Sequence, residues 1–227
     1  MMNRTEVIQK IIDRTGAQNY LEIGVSRGDC FLSIKAPRKV AVDPKFKLSL
    51  RRRLKWAFRN LRSRYYESTS DDFFAKVKLP HGFDVVFIDG LHTYGQSLKD
   101  VENALGVLGE KGVIIMHDCN PTDAASAHPA DSQQHAASMG LPGWTGWWMG
   151  DVWKTICHLR SQRPDLKVLV LDCDCGLGII TRGGADDMLN LPVTELKELD
   201  YDDLAKNRKR FLNLKDESFF PEFLKTI

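Results

Sequence analysis

The chain has 227 residues, of which 43% are hydrophobic and 27% charged, and 32 Lys and Arg nearly balance 30 Asp and Glu. That is ordinary for one soluble globular domain with an ample core, and it lacks the strongly basic balance of a nucleic-acid-binding protein. No apolar run approaches the ~20 residues of a membrane span. Met1–Glu6 leads into a charged amphipathic pattern rather than a signal peptide, and five cysteines without a C-x-x-C pair read as reduced thiols in a cytoplasmic protein.

Ile8, Ile11 and Ile12 mark one face of a first helix that Gly16 can cap. Tyr20–Ile23 reads as a buried strand. Glu22 lies near its end, and Gly24 then lets the chain turn tightly. Gly28 would let a helix over 28–34 pack close to the strand before Pro37 stops it. A dinucleotide fingerprint would want a middle glycine where Ser26 stands. Lys39–Val42 is the second strand, closed by Asp43–Pro44. An acid at that tip, about twenty residues beyond the glycine loop, is placed to accept both ribose hydroxyls of a nucleoside. A turn-forming Asp before proline is the plainer reading.

Nine bases then follow without an acid: Lys45, Lys47, Arg51, Arg52, Arg53, Lys55, Arg59, Arg62 and Arg64. Leu50, Leu54, Phe58 and Leu61 recur at helical spacing, so residues 47–64 read as an amphipathic helix with a basic face. A solvated face is one reading; weak peripheral contact with an anionic membrane, or with a phosphorylated substrate, is the other. Arg64–Thr69 fits a third strand, and Ser70 or Asp71 can cap the short helix after it.

Phe83–Gly90 contains the clearest strand, apolar enough to be buried on both faces, and it ends in Asp89 with His92 three residues on. A helix with Leu98, Val101, Leu105 and Leu108 on its core face follows. Val113–Met116 is the fifth strand, and His117–Asp118 comes directly after it. Alternating strands and helices predict an α/β fold with a Rossmann-like, doubly wound sheet, its ligands beyond the carboxyl ends of the strands. Residues 122–150 break the pattern and bring Trp144, Trp147 and Trp148 close together, as a lid over a ligand or a packed or subunit-facing loop would. A helix from Asp151 and two strands, Lys167–Leu171 and Gly178–Thr181, suggest an antiparallel hairpin. Cys173 and Cys175 would share one strand face. Residues 1–184 thus form one domain, and 185–227 a helical extension whose Leu196, Leu199, Leu204, Phe211 and Leu214 could meet a second subunit.

The run Glu22-Ile23-Gly24-Val25-Ser26-Arg27-Gly28 resembles the E-x-G-x-x-x-G loop of class I S-adenosylmethionine (SAM) dependent methyltransferases. Phe87–Tyr94 and Ile115–Pro121 are similar to the subgroup of macrolide-sugar and catechol O-methyltransferase-like enzymes. The resemblance implies a mostly parallel sheet closed by an antiparallel hairpin. It implies SAM held by Glu22, Gly24, Ser26, Gly28, Asp43, Ser70, Asp71 and Asp89. It implies a divalent metal, magnesium or manganese, on Asp89, His117 and Asp118, with Asp89 and His92 catalytic and His92 the general base. His117 stands where such sites often carry an acid, and an imidazole suits manganese, iron or zinc better than magnesium.

That chemistry needs these groups. SAM's methyl is already electrophilic, so the protein must align it and supply a nucleophile. A hard cation lowers a bound hydroxyl's pKa, and a neutral imidazole can take its proton. The reading is SAM-dependent O-methyl transfer to a small-molecule, glycan or sugar-like hydroxyl. A non-catalytic SAM- or glycan-binding module and a nicotinamide oxidoreductase are the alternatives.

Overall fold

A computed structural model describes residues 1–77 and 82–227; the side chains of Arg53, Phe58 and Arg59, named in the basic stretch, lie outside the described residues. The strands are β1 Asn19–Ile23, β2 Arg38–Asp43, β3 Ser63–Glu67, β4 Phe83–Ile88, β5 Leu108–Met116, β6 Leu166–Leu171, β7 Leu177–Arg182 and β8 Leu214–Lys215. The helices are α1 Arg4–Thr15, α2 Leu50–Lys55, α3 Ser70–Lys76, α4 Tyr94–Val107, α5 Gln133–Ser138, α6 Trp153–Gln162, α7 Val193–Glu198, α8 Tyr201–Leu212 and α9 Phe220–Thr226.

Among the described residues eight strands form one sheet in the order β3-β2-β1-β4-β5-β7-β6-β8. The first five are parallel, and β7 enters antiparallel between β5 and β6. This is the doubly wound sheet with a closing hairpin that the sequence implies. Apolar side chains of alternate register fill two clusters, one on each face. One holds Val86, Ile114 and Trp153; the other holds Ile8, Phe87 and Ile115. Order reverses between β1 and β4, so their carboxyl ends open a crevice where Glu22 and Asp89 stand.

Several local expectations are corrected. Residues 28–34 form successive turns, not a helix. The buried Lys39 ammonium donates to the carbonyls of Phe31 (2.6 Å) and Ile34 (2.8 Å), which satisfies oxygens a longer helix would have paired. The basic helix is only α2, capped by Ser49; a 3-10 turn over Ala57–Asn60 follows, because β3 must begin at Ser63. Thr69, not Ser70 or Asp71, caps α3 by accepting from the Asp72 N–H. Cys173 and Cys175 sit in the turn between β6 and β7, not on a strand, and all five cysteines are free thiols.

The extension turns back on its own domain. Leu196, Leu199, Leu204 and Phe211 are buried in the main cluster, and Leu214 lies in β8, which adds to β6 in parallel. No helix among the described residues is long and apolar enough to cross a membrane.

Candidate active site

The glycine loop is held from below and behind. The Gly24 N–H donates to Val42 and the Ser26 N–H to Asp43 Oδ2 at 2.7 Å. Asp43 Oδ1 accepts from the Lys45 N–H at 2.7 Å, so one carboxylate ties the loop to the end of β2 and keeps further lone pairs. Gly28 sits against Leu48. Ser70 and Asp71 are bound into α4 instead of the crevice wall: Ser70 donates to Asp100 at 2.6 Å, and Asp71 pairs with Lys99 at 2.5 Å.

A cavity of about 550 Å³ opens over the loop, within the range of small-molecule and cofactor sites. Glu22, Gly24, Ser26 and Asp89 line it, joined by Arg4 and Asp174. Glu22 is 2% exposed and accepts from the Tyr20 hydroxyl at 2.5 Å. Burial pushes its carboxyl up to about 8, against the pull of that hydrogen bond. It is a proton-holding group near neutrality that a ligand cation would convert to carboxylate.

Beside the cavity the ends of β4 and β5 bring two acids and two histidines together. His92 Nε2 lies 3.3 Å from Asp89 Oδ1 and 3.2 Å from Asp118 Oδ2. His117 Nδ1 lies 3.4 Å from Asp89 Oδ1 and 3.1 Å from Asp118 Oδ1. The orientation of His92 is fixed from outside: its Nδ1 is 2.8 Å from the Trp148 carbonyl, and its ring stacks on Trp148 at 5.4 Å. A carbonyl only accepts, so Nδ1 carries the hydrogen and Nε2 faces the acids. Gly150 allows this approach, since a Cβ there would lie 1.8 Å from the His92 carbonyl oxygen. Residues 122–150 therefore reach the site through Trp148 and Gly150. Trp144 is half-buried and Trp147 exposed, so the three tryptophans do not act together.

Arg4 and Asp174 complete the cluster and were not anticipated. Arg4 Nη1 donates to Asp89 Oδ2 at 2.8 Å; its Nε and backbone N–H donate to Asp174 Oδ2 at 3.1 and 2.6 Å. His117 is 5% exposed, and its Nε2 finds no hydrogen bond, with Asp174 Oδ1 at 3.6 Å. Burial alone would lower both imidazoles, but the surrounding acids outweigh it: His92 is raised to about 9 and His117 well above its ordinary range. Burial would raise Asp89 and Asp174, yet the histidines and Arg4 hold both well below it.

The ligand atoms of Asp89, His92 and Asp118 lie within 4.8 Å of one another, and so do those of His117, Asp118 and Cys175. Two carboxylates and an imidazole pinned through its other nitrogen fit a cation. Three carboxyl groups face one guanidinium here, so two protonated imidazoles or one divalent ion would balance the same charge. Both His92 and His117 thus stand within reach of the two acids.

Residues 21–119 match the family described as a methyltransferase domain. The fold resembles a Klebsiella pneumoniae protein provisionally designated an O-methyltransferase, at TM-score 0.57 and 15% identity over 81% of each chain. It resembles the Streptomyces achromogenes O-methyltransferase TomG of tomaymycin synthesis, solved with SAM, at TM-score 0.56 and 15% identity over 78% of this chain and 79% of that one. It also resembles a Bacillus cereus O-methyltransferase solved with SAH, at TM-score 0.54 and 16% identity over 80% and 83%. No curated protein matches the chain. The matched segment and the strand order give the chain the fold of the class I SAM-dependent methyltransferases.

Proposed function

We propose that the protein transfers the methyl group of SAM to a hydroxyl oxygen of a small-molecule or sugar-like acceptor. The observation that carries this reading is the convergence of His92 and Asp118 on Asp89, which lines the cavity above the glycine loop. SAM lies in the cavity on Gly24 and Ser26, its ammonium toward Glu22 and Asp89 and its ribose hydroxyls toward Asp43. Gly28, Ser70 and Asp71, like Asp43, do not line the cavity; Asp43 ties the loop to β2 and offers its remaining lone pairs to the ribose. The two neighbours of this fold solved with SAM and SAH support SAM as the cofactor.

The acceptor oxygen attacks the methyl carbon, the carbon–sulfur bond breaks, and S-adenosylhomocysteine leaves. The hydroxyl proton goes to His92 Nε2, which Trp148 aims at the site. Asp89 and Asp118, with His117 as nitrogen donor, would hold a divalent cation, which when bound supplies Lewis-acid polarisation of the hydroxyl and leaves His92 Nε2 free for the proton. Among the acids, Asp89 therefore serves both cofactor and ion.

Turnover is tested by following S-adenosylhomocysteine release with panels of sugar and catechol hydroxyls. Formation of methylated acceptor is the expected result. Tight NAD binding without SAM binding, or SAM binding with no transfer to any hydroxyl, would reject the reading. Chelator treatment is expected to abolish most turnover, with recovery on adding magnesium or manganese; full activity after chelation would remove the metal. Asp43→Ala is expected to weaken SAM binding by about 1–3 kcal/mol, as for hydrogen bonds to a charged group. Unchanged calorimetric affinity would free Asp43 of the ribose role.

A further inference from the structure

We propose that residues 45–64 form a peripheral docking surface for an anionic lipid bilayer, independent of the methyl-transfer reading. Nine of the 32 Lys and Arg residues fall in this stretch, and all 30 acids lie outside it. The structure adds what the sequence pattern could not: three leucines of the stretch are left in water, while Phe46, Leu48 and Trp56 pack on the core. Leu50 is 71%, Leu54 68% and Leu61 76% exposed, which together with Trp147 makes them the most exposed large apolar side chains after Met1 among the described residues. Leu50 and Leu54 lie one turn apart on the same face of α2.

Around these leucines the cations are mostly uncommitted. Lys45, Lys47, Arg51, Lys55, Arg62 and Arg64 are exposed, and among the described residues of the stretch only Arg52 forms an ion pair. Exposed leucines would gain nothing on a phosphate backbone, and a nucleic-acid groove would want aromatic stacking platforms. At a bilayer surface both features have a use: leucines enter the acyl boundary, and each Lys or Arg near anionic headgroups adds about 1 kcal/mol.

The surface is mechanically joined to the cavity. Arg52 pairs with Asp29 and donates to the Arg27 carbonyl at 3.0 Å, and both Arg27 and Asp29 line the cavity wall. A docked domain therefore holds its cofactor cavity close to the lipid surface.

The test is co-flotation of the whole protein with phosphatidylglycerol–phosphatidylcholine vesicles, against pure phosphatidylcholine, at low and high salt. Binding is expected only to the anionic vesicles and should weaken as salt screens the charges. Leu50→Ser/Leu54→Ser/Leu61→Ser and, separately, Arg51→Glu/Lys55→Glu should each lower partitioning about tenfold or more. All these side chains are exposed, so unfolding is not expected, and thermal melting checks it. No flotation with anionic vesicles at low salt overturns the proposal. So does charge-reversal loss with an unaffected leucine variant, or equal competition by an oligonucleotide, because either makes the surface a general polyanion binder.

Discussion

His92→Ala is expected to lower turnover by about 10²–10⁴-fold while leaving SAM affinity nearly unchanged. The imidazole touches Asp89, Asp118 and Trp148, and it is not among the residues lining the cofactor cavity. His92→Gln can still engage the Trp148 carbonyl, so its loss should be as large if proton transfer is the role. The pH dependence has a definite sign. His92 accepts a proton only when Nε2 is bare, and the two acids raise its proton affinity to about 9. The rate therefore climbs with pH, inflecting near that value in chelator-treated protein if any activity remains. A cation on Asp89 and Asp118 neutralises the charge that causes the shift and moves the inflection down. A rate that falls with rising pH through this range, or wild-type turnover in His92→Ala, would place the base elsewhere.

Gly24→Ala is expected to have the largest effect on stability, on the order of 3–5 kcal/mol, and to abolish SAM binding. Gly24 has φ +84°, and a Cβ there would lie 1.8 Å from the carbonyl oxygen of Asp89 and 2.3 Å from its carbon. Neither atom is a flexible side-chain end, so β4 must separate from the loop that faces it. The movement would also shift Asp89, on which Arg4 and both histidines converge. Gly106→Ala is the control: it sits in α4 with nothing within 4 Å, and alanine favours a helix. Urea unfolding of the two variants checks the difference. A Gly24→Ala protein as stable as wild type would refute the close contact between the glycine loop and β4.

The parts of the fold legible in the sequence were those that local patterning specifies. The apolar runs ending in Glu22, Asp43, Asp89 and His117–Asp118 announced strands and put their acids on one edge. Residues 28–34 carry a helical pattern but form turns, because a buried lysine from the next strand, Lys39, competes for the carbonyls of Phe31 and Ile34. β8 has two residues, too few for any period-two signal, and exists only because β6 offers an edge. Arg4 and Asp174 were illegible for a different reason. Arg4 is 85 residues from Asp89 and 170 from Asp174, and only the sheet brings the three together. The acidic turn Asp172-Cys173-Asp174 was a signal that could have been weighed. Trp148 was flagged as a loop aromatic, but its use of a backbone carbonyl to aim His92 has no sequence signature.

The cavity above the glycine loop is expected to bind SAM. Calorimetric titration of the purified protein with SAM and S-adenosylhomocysteine, alongside NAD, tests it most directly. One saturable site for both sulfur nucleosides is expected, with no heat from NAD. Proton uptake or release can be read in the same experiment by varying the buffer: Glu22, held near 8 by burial, should give up its proton as the ligand's ammonium arrives. Saturable binding of NAD with none of SAM or S-adenosylhomocysteine would contradict the account.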